Sequence, residues 1–133
     1  MTLLSETATP VRKLILVVDD DEGMRAAIYG MLSLKYCVTL AIDGIDGYEK
    51  ANGQPRPDLI IADVAMPRLD GIAMVRRIWA SDAPHRVPVI FLTGQMSPAN
   101  LMAGLPPSSF AYLSKPTNPA VLEMKVDRAL KGP

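Results

Sequence analysis

The runs "KLILVV" at 13–18, "DLIIAD" at 58–63 and "VPVIFLT" at 87–93 constrain this chain most. They are nearly continuous in apolar residues rather than alternating, the pattern of strands covered on both faces. A strand of that kind needs a layer above and below it, which favours a parallel sheet between helices. Two more short runs, "CVTLA" at 37–41 and "FAYLS" at 110–114, read as strands as well.

The intervening segments carry helical spacing. In 22–34, Met24, Ala27, Ile28, Met31 and Leu32 recur on one face, and in 70–80 Ile72, Val75, Ile78 and Trp79 do so. Ser97-Pro98 and Asn118-Pro119 read as an N-cap followed by proline at the first helical position, the second leading a stripe of Leu122, Val126, Ala129 and Leu130. Segment 44–52 is a short helix weakened by Gly44 and Gly47, and "NGQPRP" ends it. Strand and helix thus alternate through the chain, predicting an α/β sheet with right-handed crossovers and helices on both faces.

With 133 residues there is room for one domain, with residues 1–11 as a flexible arm and 12–131 as the folded unit. Lys and Arg total 14 against 14 Asp and Glu, so there is no basic footprint for nucleic acid. The single cysteine, Cys37, reads as a small buried hydrophobe, and with no disulfide, secretion signal or membrane-length apolar run the expected location is cytoplasmic.

In a parallel sheet, ligands sit beyond the carboxyl ends of the strands. Here those ends carry Asp19-Asp20-Asp21, Asp63, Thr93-Gly94 and Ser114-Lys115-Pro116. Two unit charges about 4 Å apart repel by roughly 1 kcal/mol in water and about 4 kcal/mol at an effective dielectric of 20, so clustered carboxylates need an offset. They can share a proton or bind a divalent cation. Oxygen donors without His or Cys suit Mg²⁺, with Asp20 and Asp63 as direct ligands and Asp19 reaching the ion through water. A carboxylate beside such an ion can attack phosphorus to give an acyl phosphate. Lys115 then supplies a second cation, and Thr93 a hydroxyl for a phosphoryl oxygen.

In combination, "VVDDD", "IIADVAMPRLDG", "FLTG" and "YLSKP" make residues 12 to 131 resemble the receiver domain of two-component response regulators, including single-domain regulators of the chemotaxis type. The resemblance implies a (βα)₅ flavodoxin-like fold, doubly wound, with five parallel strands in the order 2-1-3-4-5. It implies that Asp63 accepts a phosphoryl group from a histidine kinase or a histidine phosphotransfer protein. Asp19 and Asp20 would be the acidic pair, the Ala65 carbonyl would complete the Mg²⁺ ligands, and Thr93 and Lys115 would act with Asp63. Tyr112 resembles the family's aromatic switch, which turns inward when Thr93 moves, and the output face would comprise 97–106, 109–114 and 118–130. The Lys115-Pro116 bond resembles the family's cis peptide.

Prolines in "GLPPSS" at 104–109 alter that output face, so the downstream effector cannot be borrowed from relatives. Ala65 and Gln95 resemble positions that tune hydrolysis of the acyl phosphate, so the expected activity is self-phosphorylation with slow self-dephosphorylation rather than rapid turnover. The chain would be a monomer or a phosphorylation-dependent dimer. A pseudo-receiver, binding partners without phosphorylation, is the rival reading. A haloacid-dehalogenase-like phosphatase needs a second acid two residues after its nucleophile, where this chain has Ala65. His85, in the loop before the fourth strand, would lie at the opposite end of the sheet from the acids.

Overall fold

The apolar runs form strands β1 (Leu14–Val18), β2 (Cys37–Ala41), β3 (Leu59–Ala62), β4 (Val89–Thr93) and β5 (Ala111–Ser114). All neighbours pair in parallel, in the order β2-β1-β3-β4-β5. The structure, a computed structural model, describes residues 12–81, 85–94, 105, 110–115 and 117–131. Four helices lie in that part of the chain: α1 (Glu22–Leu32), α2 (Gly44–Ala51), α3 (Gly71–Ser81) and α4 (Pro119–Lys131). The arm at 1–11, the helix expected around 97–106, Gln95 and the peptide bond into Pro116 fall outside the described residues.

Successive side chains of a strand point to opposite faces, so each central strand feeds two cores. Leu16, Val18, Ile60, Ala62 and Phe91 pack with Met74, Val75 and Ile78 of α3 and Ala51 of α2. Ile15, Val17, Leu59, Ile61, Ile90 and Leu92 pack with Ile28 and Leu32 of α1 and Leu122 and Val126 of α4. This is why β1, β3 and β4 lack polar alternation.

The helix starts are set by side-chain oxygens that satisfy otherwise orphaned N–H groups. Asp21 accepts from Gly23 N at 3.1 Å, Asp70 from Ala73 N at 2.8 Å and Asn118 from Val121 N at 2.9 Å, the last as its sequence predicts. Glycines in α2 weaken its intrinsic propensity but admit close packing. A Cβ on Gly47 would stand 2.7 Å from Met74 Sδ and 2.9 Å from Val18 Cγ2, so α2 reaches α3 and β1 only because that atom is missing.

Cys37 departs from expectation. It is exposed, not buried, because β2 is an edge strand and Cys37 opens it, beyond the cover of the flanking helices. On the other side, Trp79 near the end of α3 is buried, its Nε1 donates to Val87 O at 3.0 Å, and Arg86 lies over its ring.

Candidate functional site

Parallel pairing brings the carboxyl ends of β1, β3, β4 and β5 to one rim. Asp19 follows β1, and its backbone N–H donates to Ala41 O at 3.2 Å, while Asp63 follows β3 and donates to Val18 O at 3.0 Å. Lys115 follows β5, its N–H donating to Thr93 O at 2.8 Å. These ladder bonds fix the backbone from which three distant side chains converge. Lys115 Nζ donates to Asp19 Oδ2 at 2.9 Å and to Asp63 Oδ2 at 3.1 Å.

The ammonium therefore bridges two acids and offsets part of their repulsion. Asp19 is only 2% exposed. Burial pushes its carboxyl above the usual carboxylate range, although the Lys115 hydrogen bond and the Asp21 N–H pull it back. Burial alone would lower the Lys115 pKa, but its hydrogen bonds to Asp19 and Asp63 outweigh that and hold it above the usual lysine value.

Asp20 is exposed beside this pair, and one carboxylate oxygen each from Asp19, Asp20 and Asp63 lies within 4.8 Å of the others. That spacing and the oxygen-only donor set fit a hard divalent cation. The like charge at the end of β1 thus has a neutralising lysine, and its carboxylates stand close enough to share a cation.

Thr93 ends β4 and is buried, in register with Ser114. Tyr112 stands on β5 opposite Phe91, half-buried against the core shared with α2 and α3, its hydroxyl 3.4 Å from Ser114 Oγ. Ala65 is exposed in the loop leaving β3. His85 precedes the amino end of β4 and is exposed, away from the acidic rim as expected.

The loop 63–71 is held more tightly than its sequence suggests. Gly71 N donates to Val64 O at 2.8 Å, and a Cβ on Gly71 would lie 2.1 Å from the Asp63 carbonyl oxygen. Glycine is required here for close approach to the backbone of Asp63. Gly71→Ala is expected to cost about 1–3 kcal/mol in urea unfolding, the usual penalty for forced overpacking, and to shift the Asp63 backbone amide resonance.

Asp43 and Arg68 went unnoticed in the sequence. Asp43 caps α2, accepting from Asp46 N at 2.8 Å, and its other oxygen accepts from the Arg68 guanidinium. The Asp46 N–H and then Arg68 hold the Asp43 carboxyl below its ordinary 3.8. A depressed folded-state pKa gives stability that is complete above the unfolded value and lost as pH falls through the folded one. The acid limb of unfolding below about pH 4 should therefore be shallower in Asp43→Asn, as urea midpoints measured from pH 5 downward will show. The available sequence clue was Asp43 immediately before a short helix with Asp46 three residues on, a capping pattern.

Residues 15–127 match the family model of the response regulator receiver domain. The chain belongs to that family. This receiver domain is 39% identical over 103 residues to the response regulator MprA of Mycobacterium ulcerans, covering 77% of this chain and 43% of that protein. With MprA of Mycobacterium leprae the identity is 38% over 103 residues, covering 77% and 44%. The receiver domain thus spans less than half the length of these curated relatives.

Among solved structures it resembles the chemotaxis protein CheY4 of Vibrio cholerae, with a TM-score of 0.81 and 30% identity, covering 90% of this chain and 99% of that one. A receiver domain protein of Clostridium thermocellum gives a TM-score of 0.79 at 28% identity, covering 90% and 94%. The predicted fold class, strand order and family are borne out. Receiver domains take part in two-component signalling and generally bind Mg²⁺ at an acidic pocket, the kind of pocket Asp19, Asp20 and Asp63 form here.

Proposed function

We propose that this receiver domain works in the cytoplasm, accepts a phosphoryl group on Asp63 from a histidine kinase or histidine phosphotransfer protein, and passes the signal to a downstream effector through a change in its surface. The observation that carries this reading is Lys115 Nζ bridging Asp19 and Asp63 from a strand end far along the chain.

In the reaction, an Asp63 carboxylate oxygen forms a bond to phosphorus as the phosphorus–nitrogen bond of the donor breaks. The electron pair of that bond leaves with the imidazole. Lys115 already holds one Asp63 oxygen, which orients the carboxylate for the incoming phosphorus. Asp19, Asp20, Asp63 and the Ala65 carbonyl would hold Mg²⁺, which when bound neutralises charge on the phosphoryl oxygens.

The new group raises the charge at Asp63 from one negative to roughly −1.5 to −2 and adds acceptor oxygens. The Thr93 hydroxyl and the Lys115 ammonium are the donors drawn to it. Thr93 ends β4 beside β5, so its displacement is felt by Tyr112, and the population shifts towards a packing in which the ring turns inward. The output surface then includes β5 and α4, and the chain acts as a monomer or as a dimer formed on phosphorylation.

Incubation with acetyl phosphate and Mg²⁺, followed by peptide mapping, tests this. One base-labile phosphoryl group on Asp63, absent when EDTA replaces Mg²⁺, is the expected result. A folded protein that takes up no label would be a phosphorylation-independent binding module instead.

A further inference from the structure

We infer that Arg68 is a positioning residue: its ion pair with Asp43 straps the loop after the phosphoacceptor to the start of α2 and holds the loop backbone around Ala65 in place for the cation. The inference rests on the metal-dependent reading of the site and adds a residue outside it.

Arg68 has a φ of 69°, the left-handed region that a residue with a Cβ disfavours. Glycine would sit there with less strain, which makes the contacts of the side chain worth following. What it contributes is a guanidinium donating to the carboxylate of Asp43, a side chain only 6% exposed although Arg68 itself is 61% exposed. Asp43 is in turn fixed by its capping bond to Asp46 N, and Asp46 accepts from Ile42 N at 3.0 Å and pairs with Lys50. The anchor at the α2 end is therefore rigid.

At the other end, the loop is pressed against this anchor. A Cβ on Gly44 would stand 2.1 Å from the Leu69 carbonyl oxygen, so the loop backbone touches the first turn of α2 one residue beyond Arg68. Leu69 N donates to Pro67 O at 2.8 Å, and Met66 and Leu69 are buried. Ala65 lies between buried Val64 and Met66, three residues before the strap. Releasing Arg68 frees a polar tether on the solvent side of this segment, and with it the hold on the backbone around Ala65.

Exposed ion pairs contribute little to global stability, whereas groups that orient a metal's ligands are felt in affinity. Arg68 is the exposed partner and buried Asp43 keeps its capping bond from Asp46 N, so Arg68→Ala should lower the urea midpoint only modestly. Its Mg²⁺ dissociation constant, measured by calorimetry with the metal alone, should rise about tenfold. Amide exchange at Leu69 and Gly71, read by NMR without metal, should accelerate by a similar factor. Arg68→Lys should fall between, because a point charge lacks the planar fork.

Arg68→Gly separates strain from tethering, since it relieves φ while removing the ion pair. It should lose affinity as the alanine variant does. Wild-type affinity in Arg68→Gly, or unchanged exchange at Leu69 and Gly71 in Arg68→Ala, overturns the inference. If the wild-type protein binds no Mg²⁺ and takes no phosphoryl group, the reading of the site fails, and amide exchange alone then decides whether the strap exists.

Discussion

Asp63→Asn protein treated with acetyl phosphate and Mg²⁺ is expected to remain unlabelled, where the wild-type chain takes up one phosphoryl group. Asparagine matches aspartate in size but offers no carboxylate oxygen to attack phosphorus, so the loss is of the reaction rather than a slowing of it. The fold should survive. Asp63 sits past the end of β3, its backbone N–H bond to Val18 O does not depend on the side chain, and the amide still accepts a hydrogen bond from Lys115. Urea unfolding should shift by no more than about 1 kcal/mol, the scale of exchanging a charged for a neutral hydrogen bond while relieving repulsion with Asp19. Intact-mass spectra and peptide mapping check the result, and base-labile label on Asp20 in this variant would assign the nucleophile elsewhere.

Lys115→Met should give the largest change in stability. The substitution keeps much of the aliphatic stem but leaves Asp19, 2% exposed, facing Asp63 without its cation. Removing one partner of a buried pair costs roughly 3 kcal/mol or more at pH 7, because a buried charge is left uncompensated. Two conditions should recover part of it. Burial already raises the Asp19 pKa, and without Lys115 it rises further. A raised folded-state pKa means that stability is retained at low pH and lost as pH rises through it, so the deficit should shrink on acidification towards pH 5. Mg²⁺ should also restore stability, by about 1.4 kcal/mol for each tenfold excess over its dissociation constant. A deficit indifferent to both pH and Mg²⁺ would mean that Lys115 acts by packing alone.

The layers of this fold were legible because burial on both faces leaves a plain mark: β1 and β3 are apolar throughout and β4 is apolar up to Thr93, and helical spacing between these runs points to a parallel sheet covered on both sides. The edges were less legible. β2 shows a graded burial from exposed Cys37 to buried Ala41, and an apolar run at an edge looks the same in sequence as one in the centre. Asp19, Asp63 and Lys115 were legible as a set, because parallel strands force their ends to one rim. The Asp43–Arg68 pair was not, since it joins two loops whose distance depends on how closely α2 approaches the loop after β3. Gly44 and Gly47 carried that information in disguise: read alone they weaken a helix, whereas in the fold their missing Cβ atoms set the approach.

Trp79 is the sole tryptophan, and it lies near the carboxyl end of α3, bonded to the segment that enters β4. Since crossover helices run back against the strands, this places the indole at the rim away from Asp63. Its emission is therefore an intrinsic optical gauge that a bound ion or a phosphoryl group cannot quench by contact. Any spectral change on labelling would report rearrangement transmitted along β4 and α3, giving a dye-free kinetic trace of the switch itself.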